Sequence, residues 1–244
     1  MTAIAATASN ELAAASRTPP RQPGLPEKIW TWALFRGQVA GVRADIAAGK
    51  AMIRSAGAPR RKVFTFTSDQ ELTALGRLAL QVPRGMAALE IGAYLGASSR
   101  YLAAGLSRRG GRLYCVDTWN NETMPDGIRD TYAEFNQNLG PLSRWVVPVR
   151  KRSEDLVAAD VPERIGLVFI DGDHSYEACR RDFDIVQPLL TEQSVIAFHD
   201  SIQWEGVSRV IGEVLADGKW AMAGLADNLL WVRRSKWSVK NANG

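Results

Sequence analysis

The stretch LEIGAYLGASS, Leu89 to Ser99, is an apolar run that breaks at Gly92, turns through Gly96 and continues into helix-forming residues. A buried run, a glycine-bracketed turn and a helix start make the first half of a βα unit. The same rhythm repeats downstream. A helix is expected over 98–106, a strand over 111–117, a helix over 128–139 and a strand over 144–149. A short helix over 153–158, a strand over 166–171, a helix over 176–190, a strand over 194–200 and a helix over 206–217 follow. WAMAGL and NLLWVRR then come with only Ala226-Asp227-Asn228 between them, which predicts a hairpin and an antiparallel strand at one edge. Strands that are almost continuously apolar suit burial on both faces. The alternation therefore predicts an α/β, Rossmann-like fold, a mostly parallel sheet with helices on both faces.

Upstream, Ser68 and Glu71 stand at capping-box spacing and predict a helix to about Gln81, stopped by Pro83-Arg84-Gly85. Residues 26–62 read as a helical extension, a lid or an oligomer contact, before a main domain over 63–236. Residues 1–25, rich in Ala, Ser and Pro, are expected to be disordered, and 237–244 to form a tail. The 244 residues are 46% apolar and 23% charged, ordinary for a globular chain. There is no 18-residue apolar run to span a membrane, and no basic start with a long apolar core to act as a signal peptide. The net charge of +4 comes from scattered basic pairs, without the stripe or module that nucleic-acid binding needs. Cys115 and Cys179 are too few for a disulfide framework and read as inert buried thiols, which fits a cytoplasmic location.

The turn after Ile91 has the spacing G-x-x-x-G, and Tyr94 stands where a dinucleotide fold places a second glycine. A diphosphate fits poorly there and a nucleoside better. Glu90 is placed to hold a cationic or hydroxylated group, and Asp117, at the end of the next strand, to hold a ribose diol. A second concentration of chemistry lies in FIDGDHSYEACRRDF, 169–183, with Asp171, Asp173 and His174, and in SVIAFHD, which ends in His199-Asp200. The chain's only two histidines fall in these segments. Open parallel sheets bind ligands outside the carboxyl ends of their strands, the edge to which all these residues belong. Asp173 reads as a cap for the helix that starts near Ser175, or as an orienter of His174. Trp204 either roofs an acceptor pocket or packs.

Glu90 to Ser98 resembles the cofactor loop of class I S-adenosylmethionine-dependent O-methyltransferases, and is similar to catechol O-methyltransferase-like enzymes. FIDGDHSYE and FHD resemble the group that contains macrolide-sugar O-methyltransferases. The resemblance spans about residues 64–234. It implies a seven-stranded sheet with an antiparallel last strand, and S-adenosylmethionine as cofactor. Glu90, Gly92, Ala93, Tyr94, Gly96 and Ser98 would line its methionine end, with Asp171 nearby. Asp117, with Thr118 beside it, would hold the ribose. Trp119, Ser153 and Glu154 would lie near the adenine. The resemblance also implies a divalent metal on Asp171, His199 and Asp200. His199 replaces an oxygen ligand, so Mg²⁺ or Mn²⁺ would give way to a softer ion if the imidazole ligates. Asp171 and His174 are the implied catalytic residues, with His174 as general base, because an imidazole is matched to taking a hydroxyl proton near neutral pH. The acceptor implied is a hydroxyl on a sugar or small natural product, with a catechol or phenol as the alternative, and the enzyme is expected to be a homo-oligomer.

Four other readings compete. Asp171-x-Asp173 also suits a metal-dependent glycosyltransferase, but the 90–98 turn lacks a diphosphate cradle. An aspartyl-nucleophile phosphatase would carry its D-x-D at the start of the domain. An HD-type hydrolase needs more histidines. A non-catalytic partner protein with the same fold is the fourth.

Overall fold

The computed structural model describes residues 25–122 and 127–235. The tails expected at 1–25 and 237–244 thus lie outside the described residues, apart from Leu25. The first element is a single helix, α1 (Leu25–Ser55). Residues through Gly41 form one compact unit and Val42 onward forms the other. Of the first unit, the described part is the N-terminal half of α1.

In the second unit, α2 (Asp69–Gln81) opens on the capping box read from the sequence. Ser68 Oγ accepts the Glu71 N–H, and the Glu71 carboxylate accepts the Ser68 N–H. The strands are β1 (Ala87–Ile91), β2 (Leu113–Asp117), β3 (Val146–Arg150), β4 (Ile165–Ile170), β5 (Leu190–Phe198), β6 (Trp220–Ala226) and β7 (Leu229–Arg234). They form one seven-stranded sheet in the order β3-β2-β1-β4-β5-β7-β6. The first five are mutually parallel, and β7 runs antiparallel to both β5 and β6. The antiparallel strand therefore sits one place in from the edge, with β6 outermost. Asp227 and Asn228 make the two-residue turn, and Asp227 takes the positive φ that such turns require.

The remaining helices are α3 (Ala97–Ser107), α4 (Tyr132–Leu139), α5 (Tyr176–Val186) and α6 (Glu205–Ala216). Alternate strand residues feed two cores. Ala88, Cys115, Phe169 and Ala197 face the layer that contains residues of α2 and α3, while Leu89, Val116, Val168 and Ile196 face that of α5 and α6. Both cysteines are free and buried. Burial pushes the Cys115 thiol pKa well up and that of Cys179 to about 12, which leaves both unreactive.

Several boundaries differ from expectation, and β5 starts at Leu190, ahead of the expected 194. α4 begins at Tyr132 and not at 128, because the Arg129 and Thr131 N–H groups donate to the Asn120 and Trp119 carbonyls. α5 ends at Val186, since Pro188 cannot continue its hydrogen-bond ladder and residues 187–189 tighten into a 3₁₀ turn. The helix expected over 153–158 is a 3₁₀ turn over Ser153–Asp155.

Helices α2 and α3 pack at close range through Gly105, where a Cβ would lie 2.6 Å from Ala79 Cβ and 2.7 Å from the Gly76 carbonyl oxygen. Backbone cannot yield as a flexible side chain can. Gly105→Ala is expected to destabilise the protein by roughly 1–3 kcal/mol in chemical denaturation. An unchanged midpoint would mean that this contact is looser than described.

Candidate active site

Strand register decides which residues meet. Ile91 pairs with Val116 and Ile170, and Ile170 pairs with Phe198. The next residues along, Gly92, Asp117, Asp171 and His199, therefore stand side by side on the carboxyl rim. The antiparallel hairpin brings Asn228 to the same edge, since Leu230 pairs with Phe198.

The β1–α3 loop is fastened from two sides. Asp117 Oδ2 accepts the Ala93 and Tyr94 N–H groups at 2.9 and 2.8 Å, and its Oδ1 accepts the Trp119 N–H at 2.6 Å. Gly92, at φ +84, lies against β4. A Cβ there would come within 2.0 Å of the Asp171 carbonyl oxygen, so only glycine fits. Beneath the loop Glu90 is wholly buried. It accepts from Ser98 and Ser99 hydroxyls at 2.5 Å each and lies 3.1 Å from Cys115 Sγ.

The residues expected to line the cofactor thus divide in two. Gly92, Tyr94, Asp117, Thr118, Asp171 and Ser153 are partly open at the rim. Glu90, Ala93, Gly96, Ser98 and Trp119 are buried and shape the loop. The Trp119 indole N–H donates to the Tyr94 carbonyl at 3.1 Å, and its ring packs on Tyr132 and Phe135. Ser153 hydrogen-bonds the buried Asp182, and the exposed Glu154 pairs with Arg181 at 2.6 Å. The Asp117 carboxylate uses three of its roughly four acceptor directions on the backbone, which leaves one for a ribose hydroxyl. Beside it a polar hollow of about 350 Å³ is lined by Thr118 and Asn120, the basic Arg150, Lys151 and Arg152, and the acidic Glu122 and Asp155. Loop, carboxylate and hollow together fit a nucleoside-bearing cofactor laid across the β1 and β2 ends.

On the β4–β5 side the two histidines meet the carboxylates. His174 Nε2 lies 2.8 Å from Asp200 Oδ2 and 4.0 Å from Asp171 Oδ1. His199, only 5% exposed, has Nδ1 at 3.1 Å from Asp171 Oδ1 and 3.2 Å from Asp200 Oδ2. Its Nε2 faces Glu71 Oε2 at 3.5 Å. Among the described residues the ring nitrogens approach the acids at ion-pair distances without ideal hydrogen-bond alignment. Asp171 and Asp200 push the His174 pKa up to about 9. For His199 burial works against the charged ring, but Asp171, Asp200 and Glu71 outweigh it and push the pKa up to about 12. Burial likewise opposes ionisation of Asp200, yet His174 and His199 hold its carboxyl well below the usual range. Trp204 stacks on His174 with centroids 4.8 Å apart. Asp173 turns away, accepting the Ser175 N–H at 2.7 Å near the start of α5.

These atoms also test the fit to a cation. Asp171, His174 and Asp200 each offer one donor atom, all within 4.8 Å of one another. Separations near 3 and 4 Å are those of neighbouring and opposite ligands around an ion with bonds of about 2.1 Å. The donor types, two carboxylates and an imidazole, are those that a nitrogen-tolerant divalent ion takes. The imidazole is that of His174, while His199 touches the same two carboxylates from the buried side. Glu71 and Asn228 reach the rim without any sequence signal for it, since one reads as a helix cap and the other as a turn.

Comparison with known proteins shows what the chain resembles. Residues 89–201 match the family model of a methyltransferase domain. Solved structures with this fold include cofactor-bound Rv0187 from MTB, which is 20% identical, with 88% of this chain and 99% of that one covered at a TM-score of 0.56. An O-methyltransferase from Bacillus cereus in complex with SAH is 20% identical over 79% of this chain and 91% of that one, at a TM-score of 0.53. The TDP-rhamnose 3'-O-methyltransferase CalS11, from calicheamicin biosynthesis, is 22% identical over 66% of this chain and 76% of that one, at 0.50. No curated protein matches the sequence. Residues 89–201 are similar to a methyltransferase domain, and the fold is shared with these solved structures, as the resemblance at 90–98, 169–177 and 198–200 implied. No described helix is long and apolar enough to cross a membrane.

Burial raises the Glu90 pKa from 4.5 to about 7. Between those values the folded state binds more protons than the unfolded one, so Glu90 makes stability fall as pH rises through that window. Denaturation across pH 4.5–7 is expected to show this slope, and Glu90→Gln, which cannot ionise, to flatten it. An equal slope in the variant would assign it elsewhere.

Proposed function

We propose that the chain is an S-adenosylmethionine-dependent O-methyltransferase for a hydroxyl on a sugar or small natural product, with His174 as general base. The observation that carries this reading is the Asp200–His174 contact of 2.8 Å at the rim, one strand over from the loop that suits the cofactor. A sugar 3'-O-methyltransferase and another O-methyltransferase among the structural relatives support a hydroxyl acceptor. A catechol or phenol is the alternative acceptor.

The division of labour follows from position. Gly92, Tyr94, Asp117, Thr118 and Asp171 offer the partly open surface on which the cofactor would lie, and Glu90 with Ser98 stiffens the loop from below. When bound, S-adenosylmethionine supplies a methyl carbon activated by its sulfonium. A hydroxyl that accepted this methyl would have to give up its proton to a base. His174 Nε2 is turned to Asp200, which leaves Nδ1 to take that proton. Asp200 fixes the ring and stabilises the imidazolium that forms, as a carboxylate does behind a catalytic histidine. Trp204 covers one face of the ring against water.

A base with a pKa of about 9 is mostly protonated at pH 7. Turnover should therefore rise about ten-fold per pH unit from 7 and level off near 9. A flat profile over that range would remove His174 from the role. His174→Ala is expected to abolish methyl transfer to a panel of nucleotide sugars, glycosides and catechols, while S-adenosylhomocysteine still raises the melting temperature.

The compact Asp171–His174–Asp200 group favours a second reading, in which the three hold a divalent ion. Such an ion would act as a Lewis acid on the acceptor oxygen. It would claim the His174 ring that the base role needs, so EDTA separates the two. Unchanged turnover supports the base. Loss of turnover that Mn²⁺ restores makes His174 a ligand.

A further inference from the structure

We propose that Glu71 and Asn228 are positioning residues of this site, a brace from outside the matched domain that sets the geometry of His199 and Asp200. The inference rests on the reading of His174 and Asp200 as working groups.

Asp200 sits at φ +53, a left-handed conformation that aspartate tolerates better than most residues and that local contacts can hold. Asn228 holds it. Its side-chain amide donates to Asp200 Oδ1 at 2.7 Å, and its side-chain oxygen accepts the Ile202 N–H at 2.7 Å. Its carbonyl accepts both the N–H and the hydroxyl of Ser201, at 3.0 and 2.8 Å. One turn residue thus holds three consecutive residues of the β5–α6 corner. With Oδ1 tied to Asn228, Oδ2 of Asp200 is left to face His174.

Glu71 holds Asn228 in turn. Glu71 Oε1 accepts the Asn228 N–H at 2.8 Å, and Oε2 accepts the Ser68 N–H at 2.6 Å while facing His199. A capping-box glutamate needs only the Ser68 contact and can stand in solvent. This one is 2% exposed, and its second oxygen spans to the hairpin. The neighbouring turn residue, Asp227, accepts from the Ser68 hydroxyl at 2.6 Å and from Gln70 at 3.1 Å, so the hairpin tip is fastened to the start of α2 at several points. His199, with neither nitrogen in an aligned hydrogen bond, takes its place between Glu71 on one side and Asp171 and Asp200 on the other.

The test uses the full chain with ¹⁵N-labelled histidine. Only two imidazoles are present, so each signal can be assigned by single substitution. Asn228→Ala is expected to move the His174 ring signals and Glu71→Gln those of His199, with S-adenosylhomocysteine affinity within about two-fold of wild type. Asn228→Asp keeps the acceptor for Ile202 but sets a second carboxylate against Asp200, and should move the His174 signals further than Asn228→Ala. With an acceptor that wild type methylates, kcat should fall about ten-fold or more while KM for S-adenosylmethionine holds, since sub-ångström misplacement of a reacting group costs that much. Wild-type histidine spectra in all three variants would overturn the proposal and reduce Glu71 and Asn228 to a helix cap and a turn. Should Glu71→Gln fail to fold, the two Asn228 variants decide alone. If wild type methylates nothing in the panel, the O-methyltransferase reading fails, and the spectra still decide the brace.

Discussion

An imidazole closed in among three carboxylates is the constraint on which the rim of this sheet depends. His199 is almost fully buried, and Asp171, Asp200 and Glu71 surround it. Taking charges out of water is costly, and the cost is offset only when each has a close partner. Removing the imidazole would leave the buried Glu71 and the two aspartates without the cation they share, and changes at the four are expected to be non-additive. Parallel pairing of β4 with β5 forces the meeting, because Ile170 opposite Phe198 sets Asp171 beside His199. Helix α2 and the β6–β7 turn must then arrive in the one arrangement that supplies Glu71 and Asn228.

The motif residues serve two purposes that look alike in a sequence. Glu90, Ser98 and Trp119 hold the shape of the loop from below, and Asp117 both holds it from the side and faces the crevice. Both kinds matter to a site, because a misplaced loop is as damaging as a missing contact. The same holds on the other half of the rim, where Ser175 caps α5 and Asp173 accepts the N–H of that cap residue while Asp171 and His174 turn inward.

Much of this architecture was legible. Central strands buried on both faces are continuous apolar runs, which is why β1, β2, β4 and β5 could be read directly, and the capping box announced α2. Rim residues followed from strand ends alone. The start of α4 was not legible, because what stops it is the pairing of Arg129 and Thr131 with backbone at 119–120. The place of β7 inside the edge was not legible either, since a hairpin can add to a sheet by either strand. Glu71 was read only for its local role. Its second role depends on a contact with Asn228 across 157 residues of chain, which no local pattern encodes.

A crystal structure of the protein with S-adenosylhomocysteine bears on all of this most directly. The ligand should lie along the carboxyl rim, its ribose on Asp117, its amino-acid end between Gly92 and Asp171, and its sulfur toward the side on which His174 stands. Density for the ligand anywhere else on the molecule, or none at saturating concentration, would contradict the assignment of this rim as the site of methyl transfer.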